Sequence, residues 1–375
     1  MVPLSLYVHL PWCARKCPYC DFNSHAAREP VPEAAYVDAL LRDLDFELRE
    51  PEARPLASIF FGGGTPSLFS GGAIARILDG VAQRLAFAPD VEVTLEANPG
   101  TADAAHFRGY RAAGVNRLSI GVQSLDDVQL KRLGRIHGRD EAIAALGLAR
   151  EAGFDNVNLD LMFALPGQSG DAALHDLESA LALGPEHLSW YHLTIEPNTE
   201  FAARPPVVPD ADAAAAMHDA GTRLLAARGF AQYETSAFAT AGRASRHNLN
   251  YWTFGDYLGI GAGAHAKRTG ASIVRRARHK HPRTYMETAG RVEAIQEQRA
   301  LSAAELPFEF CMNALRLHRG FSRADYEART GLAFATLDRP LAQAAALGLV
   351  TIDDFGVMPT ELGRRHQNRL FEVFL

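Results

Sequence analysis

Between residues 4 and 193 the chain alternates strand-like and helix-like segments at short spacing, and this alternation restricts its fold more than any other feature. Strand candidates are 4–9, 58–61, 91–96, 117–121, 157–163 and 187–193; they are rich in β-branched and aromatic residues, and most end at Gly, Pro, Asn or Ser. Periodic Ala/Leu/Arg/Glu stretches at 33–49, 72–85, 103–113 and 140–152 lie between them, with Pro32 as a helix-start signal. Six such repeats predict an α/β chain with a parallel sheet and right-handed crossovers. Six units fall short of the eight that close a full barrel, so the expected architecture is an open, partial (β/α)6 barrel.

A break follows at Pro205–Asp210 (PPVVPD). Beyond it come a helix over 211–227, a strand over 231–236 and the glycine-rich segment Gly259-Ile-Gly-Ala-Gly-Ala-His265. From about residue 295 the chain reads as short helices and a hairpin-like tail over 348–358, a small winged-helix-like module. The expected division is 1–236 for the barrel, 237–295 for an extension and 296–375 for the terminal module. Such modules often read nucleic acid. Here Asp325, Glu327, Asp338, Asp353, Asp354 and Glu361 are mixed with the arginines, and 38 basic against 44 acidic residues leave a formal charge of −6. No nucleic-acid partner is expected. No run reaches the roughly 18 apolar residues of a membrane span, and MVPLSLYVHLPWC has no basic leader and is broken by Pro3, His9 and Pro11. A cytoplasmic protein is expected.

Three of the four cysteines, Cys13, Cys17 and Cys20, fall within eight residues, which in a reducing compartment points to metal rather than disulfides. Structural zinc asks for four ligands at spacings such as CxxC…CxxC, and this chain has no second pair. Cys311, in FEFCMNAL, reads as an inert core thiol. Every other distinctive motif also follows a strand: Gly62-Gly-Gly-Thr-Pro-Ser67, Glu96-Ala-Asn-Pro99, Gly121-Val-Gln-Ser124 and Leu165-Pro-Gly-Gln168. In a β/α barrel the chemistry sits at the C-terminal strand ends, so five motifs in register predict one large site.

The triple glycine permits close backbone approach to a small ligand or forms a tight turn. Glu96 and Asp160 are carboxylates within apolar strands, satisfied by the hydroxyls or the ammonium of a ligand or by a salt bridge. Gln123 offers a donor and an acceptor to a sugar. Arg135 suits a forked pair with a carboxylate, or stands as a solvated helix-end cation.

The pattern C-x3-C-x2-C resembles the radical S-adenosylmethionine superfamily, in which three thiolates hold a 4Fe-4S cluster and leave one iron open to the methionyl amine and carboxylate of the cofactor. Together YVHLPWCARKCPYCDFNS, FFGGGTPS, EANP, SIGVQS and NLDLMFALPGQ resemble the family of oxygen-independent coproporphyrinogen III oxidase and its relatives, closely over residues 4–265 and loosely beyond. The resemblance implies a radical S-adenosylmethionine barrel with Tyr7, Tyr19, Gly63, Gly64, Thr65, Glu96, Gln123, Arg135 and Asp160 at cofactor-binding positions. The oxidase pattern has a fourth cysteine two residues after the third and a longer N-terminal extension. Here Phe22 stands in that place and twelve residues precede Cys13. The chain carries instead His247-Asn-Leu-Asn-Tyr-Trp252 and Leu193-Thr-Ile-Glu-Pro-Asn-Thr199, features that look like the HemW branch of heme chaperones. That likeness implies heme as a partner, delivered to respiratory acceptor proteins at the inner face of the membrane, in place of oxidative decarboxylation.

Two histidines are candidates for heme iron. His247 offers an axial imidazole flanked by Tyr251 and Trp252, or belongs to a buried hydrogen-bonded corner; His265 follows the glycine-rich segment. The basic run Arg275, Arg276, Arg278, His279, Lys280, His281 and Arg283 offers charge to heme propionates, acidic lipid or a partner, or is a solvated face.

Overall fold

The computed structural model describes residues 2–101 and 103–375. Its main sheet has six strands in sequential parallel order: β1 (Leu4–Leu10), β2 (Leu56–Gly63), β3 (Phe87–Ala97), β4 (Arg117–Gln123), β5 (Val157–Phe163) and β6 (His187–His192). The sheet is larger than the six repeats predict. β7 (Asp256–Ile260) pairs in parallel with the outer side of β1. Antiparallel strands β8 (His265–Thr269), β9 (Ile273–Arg278) and β10 (Ile295–Ala300) continue beyond it. At the other end, two short strands, Ala231–Gln232 and Ala237–Ala239, replace the expected single strand over 231–236. Twelve strands thus run from β10 to Ala231–Gln232 without the two edges pairing, which is a partial barrel.

Helices start where the sequence supplies an acceptor for their free N–H groups. Ser70 caps Gly71–Ala82, accepting from Ala73 N at 3.2 Å, and Asp103 caps Ala104–Ala113 through His106 N at 2.8 Å. Glu33–Glu47, preceded by Pro32, has no side-chain cap. The strands bury continuous apolar rows, such as Leu4, Leu6, Val8 and Leu10, against these helices in one core. That is the pattern of a sheet covered by helices.

The opposite face of the strands is polar and filled in layers. Ser5, Tyr7 and His9 alternate along β1 on this face, beside Ser58, Phe60 and Gly62 of β2. At the N-terminal end of the strands the helix Arg246–Trp252 plugs the barrel. Glu92 of β3 accepts from the backbone N–H of Arg246 (3.1 Å) and His247 (3.2 Å). That carboxylate satisfies two of the donors a helix start leaves open.

A second apolar core is built from Leu306, Phe310, Cys311, Leu315, Tyr326, Leu337, Leu341 and Leu370, with Phe254 joining from the barrel side. Around it the order is helix Leu306–Ala314, strand Phe321–Ser322, helices Arg323–Thr330 and Asp338–Ala346, then strands Val350–Ile352 and Gly356–Pro359. The three strands form one small antiparallel sheet, the winged-helix-like arrangement expected. No helix among the described residues is long and apolar enough to cross a membrane.

Lys267 clamps this second core to the barrel edge. It is 1% exposed, pairs with Asp256 Oδ1 at 2.9 Å, donates to Phe254 O at 3.0 Å and lies 4.1 Å from the centre of the Phe254 ring. Arg54 takes the other Asp256 oxygen at 2.8 Å. Removing one member of a buried pair leaves an uncompensated charge. Lys267→Met is therefore expected to lower unfolding free energy by about 3 kcal/mol in denaturant titration, the lower end of the range because Arg54 still faces Asp256.

Candidate functional site

The C-terminal strand ends enclose a cavity of about 500 Å³. Cys13, Cys17, Cys20, Tyr19, Gly63, Gly64, Thr65, Glu96, Gln123, Arg135 and Asp160 all line it. Of the residues expected to bind the cluster and cofactor, only Tyr7 lies outside, lining a neighbouring cavity instead.

Backbone bonds hold the cysteine loop. The short strand Trp12–Cys13 pairs with His25–Ala26, and Gly64 N and Thr65 N donate to Leu10 O (2.9 Å) and Trp12 O (2.7 Å). Cys20 N donates to Cys17 O at 3.1 Å, a tight turn that brings these two cysteines to the cavity. Burial pushes the Cys13 thiol up, while hydrogen bonds from Thr65 and Ser24 pull it down. Arg135 donates to Cys17 Sγ at 3.5 Å and to Gly121 O at 2.7 Å. The guanidinium thus ties the Cys17 side chain to the end of β4.

The triple glycine serves this loop more directly than the open approach to a ligand expected from it. A Cβ on Gly64 would lie 2.5 Å from Trp12 O, and one on Gly63, at φ +115°, would meet the His9 ring at 2.5 Å. The missing side chains make room for the chain's own loop and ring. Gly63 N still faces the cavity wall and donates to Glu96 Oε2 at 3.3 Å.

The carboxylates are poised for a cationic or hydroxyl-bearing ligand. Glu96 is half-buried, has Gly63 N as a partner and lacks a basic side chain beside it; burial first, and the nearby charge of Asp160 second, push its carboxyl from 4.5 up to about 8. Asp160 is also raised by burial, and accepts from Asn158 Nδ2 (2.8 Å) and Ser119 Oγ (3.1 Å). Neither makes the salt bridge that was the structural alternative. At β4 the register slips between Gly121 and Gln123, and Gln123 adopts φ +69°. A bulge of this kind re-aims a side chain; here Gln123 Oε1 accepts from Tyr191 Oη at 2.6 Å. Ser119, Met162, Thr194 and Glu196, which lie within the quoted motifs but are not singled out there, and Tyr191, which lies outside them, also line the cavity. Ser119 and Tyr191 were findable by the two-residue period, since they share faces with Gly121 and Ser189.

The donor set fits an iron–sulfur cluster. Three thiols share one wall, and the buried Nε of Arg135 has no partner. Among the described residues no three His, Cys, Asp or Glu side chains converge tightly enough for a single ion.

The two candidate heme histidines are placed differently. His247 is 2% exposed, lines neither cavity, stacks on Phe60 (4.9 Å) and shares a hydrogen bond with Ser58 Oγ through Nδ1 (3.1 Å). Burial holds its imidazole down at about 3. It belongs to the barrel plug, with Asn250 Nδ2 donating to Asp256 O at 2.8 Å and Arg316 lying 4.8 Å from the Trp252 ring. His265 is exposed and lines the neighbouring cavity.

The basic run does not form a free cationic face. Arg275 pairs with Glu309 (2.6 Å), Arg276 with Glu47 (2.8 Å), and Arg278 is buried against Asp43 (2.7 Å) and Glu47. These partners lie far off in sequence, so the run reads as open charge until the fold pairs it.

Glu96 yields a pH test. Its folded pKa exceeds the unfolded one, so between 4.5 and about 8 the folded state holds the extra proton, and its stabilising share is lost as pH rises through 8. Denaturation of the unliganded chain across that interval is expected to show stability falling with pH, and Glu96→Gln is expected to flatten that slope; an unchanged slope in the variant would assign the effect elsewhere.

The family model of the radical SAM superfamily matches residues 7–180, and that of the HemN C-terminal domain matches residues 301–366. The chain is 51% identical over 375 residues to the heme chaperone HemW of Escherichia coli strain K12, covering 100% of this chain and 98% of that protein. It is 34% identical to HemW of Bacillus subtilis strain 168, covering 99% of each. The structure of the E. coli coproporphyrinogen III oxidase HemN, described as a radical SAM enzyme, superposes with a TM-score of 0.84 at 25% identity, over 100% of this chain and 90% of that one. Membership of the superfamily implies a 4Fe-4S cluster and S-adenosylmethionine as cofactors. On this sequence identity, spread over the whole chain, together with three thiols and no fourth at the strand ends, the chain belongs to the HemW family of heme chaperones within the radical SAM superfamily.

Proposed function

We propose that the protein is a heme carrier: it binds heme, passes it to apo-heme acceptor proteins, and carries a 4Fe-4S cluster on Cys13, Cys17 and Cys20 with an exchangeable S-adenosylmethionine. The observation that carries this reading is the wall of three thiols in which Phe22, 63% exposed, stands where the oxidase pattern has a fourth cysteine. The heme chaperone names of relatives spanning the whole chain support it. When bound, the cluster supplies one-electron chemistry to the sulfonium.

The chain's own residues then have separable tasks. Arg135 donates to Cys17 Sγ and offers its remaining donors to a carboxylate. Glu96, with one oxygen accepting from Gly63 N, offers its carboxylate to the ligand's amino group. Gln123 and Asp160 face hydroxyls, with Tyr191 and Asn158 fixing their orientation.

The overlap with HemN over the full chain favours a second reading, oxidative decarboxylation of coproporphyrinogen III. Anaerobic reconstitution with iron and sulfide separates the two. The carrier reading expects a brown chromophore that is lost in Cys13→Ala, Cys17→Ala and Cys20→Ala. It further expects a Soret shift that saturates at one heme per chain, and no protoporphyrinogen from coproporphyrinogen III and reductant. Absence of saturable heme binding together with product formation would reverse the assignment.

A further inference from the structure

Beside the cluster cavity lies a second one of about 390 Å³, and the two share Phe22, Gly63 and Glu96. Its wall is aromatic on one side, with Tyr7 of β1, Tyr257 of β7 and Tyr251 of the barrel plug. The rings of Tyr251 and Tyr257 meet edge to face at 4.4 Å. Lys280 is also part of the lining.

Two imidazoles line this space, and only one is available. His9 shares a hydrogen bond with Tyr7 Oη at 3.0 Å through Nδ1 and with Asn23 O at 2.8 Å through Nε2, so both ring nitrogens are engaged. His265 is exposed, and neighbouring charges alone, with burial, act on its ring; no hydrogen bond from the described residues does. The glycine-rich segment is shaped to put it there. Gly261, at φ +109°, sits where a Cβ would meet His9 O at 2.4 Å, and one on Gly263 would meet Asn23 at 2.3 Å. Asn23 Nδ2 donates to Ala262 O (2.8 Å) and Lys280 O (2.9 Å), locking this turn to the cysteine loop.

A space lined by three tyrosines, with an unbonded imidazole and a lysine in its lining, fits an iron porphyrin bearing carboxylates. We propose that the second cavity is the heme site, with His265 as axial ligand, Lys280 facing a propionate and Tyr251 against the macrocycle; this rests on the heme-carrier reading above. On this geometry the HNLNYW helix contributes to the site through Tyr251. His247, 4.8 Å behind that ring and edge to face with it, is a positioning residue.

The test is heme titration of the anaerobically reconstituted full chain, followed by the Soret band and by the low-spin electron paramagnetic resonance of imidazole-ligated ferric heme. His265→Ala alters an exposed side chain. It is expected to weaken heme binding at least tenfold and to lose the imidazole-ligated signature, which added free imidazole restores, while the cluster chromophore is unchanged. His247→Gln is expected to keep that signature. Lys280→Glu is expected to weaken heme but not heme dimethyl ester; an equal loss for both would overturn the propionate contact. If the unaltered chain binds heme and His265→Ala matches it in affinity and spectrum, the site is wrong and the carrier reading stands. If the unaltered chain shows no saturable binding, both fall.

Discussion

The structure depends on a backbone pairing that ties the cysteine loop to the strand ends. Gly64 N and Thr65 N reach Leu10 O and Trp12 O, while His25 N and Ala27 N close the loop from its far side onto Pro11 O and Cys13 O. These bonds require the two segments to approach until a Cβ at residue 64 would overlap Trp12 O. Loops of this length are ordinarily mobile and lose entropy when ordered. Pinning both ends to the sheet gives three thiols a fixed wall before any ligand arrives, which is what preorganisation of a site demands.

The polar interior continues that logic downward. Asp160 is oriented by Asn158 and Ser119; Asn158 Oδ1 in turn is bonded by His187 at 2.6 Å, and His187 Nε2 by Tyr233 Oη at 2.9 Å. Below Tyr7, Ser5 and Ser58 bond at 2.7 Å, and Ser58 bonds to His247. These inward-facing groups are thus bonded layer by layer toward the Glu92-capped plug, while Thr94 Oγ1, Arg117 Nε and His247 Nε2 are buried without a partner. Bonded chains of this kind fix the orientation of their members. The layers explain why so many carboxylates and hydroxyls face into the barrel.

Much of this was legible in the sequence because the chemistry is local. The three cysteines, the glycine run, Glu96 and Gln123 each sit within a short motif at a strand end, and parallel pairing brings strand ends together automatically. What was not legible depends on long-range partners. Arg278 and Glu47 are separated by 231 positions and Glu92 and His247 by 155, so neither the neutralised basic run nor the buried plug shows as a pattern. His247 and His265 look equivalent as letters; register decides which ring is buried beneath Phe60 and which faces a cavity. The parallel place of β7 beside β1 is hidden for the same reason, since the partners in each register pair, among them Leu4 and Asp256, are 252 positions apart, and no local period encodes such a pairing.

Phe22 gives the replaced cysteine a physical meaning. A large apolar side chain left 63% exposed is ordinarily unremarkable when single. This one stands between two cavities, next to Glu96, whose carboxyl is raised to about 8. A cationic ligand in the first cavity would draw Glu96 toward its charged form and so change the field at the wall of the second. Covering that same rim with a porphyrin would remove Phe22 from water and further desolvate Glu96, raising its preference for a cation or a proton. Phe22 and Glu96 are thus the side chains common to the linings of both cavities. A thiol at residue 22 would instead put a further sulfur beside the other three, taking the aromatic ring out of the shared rim.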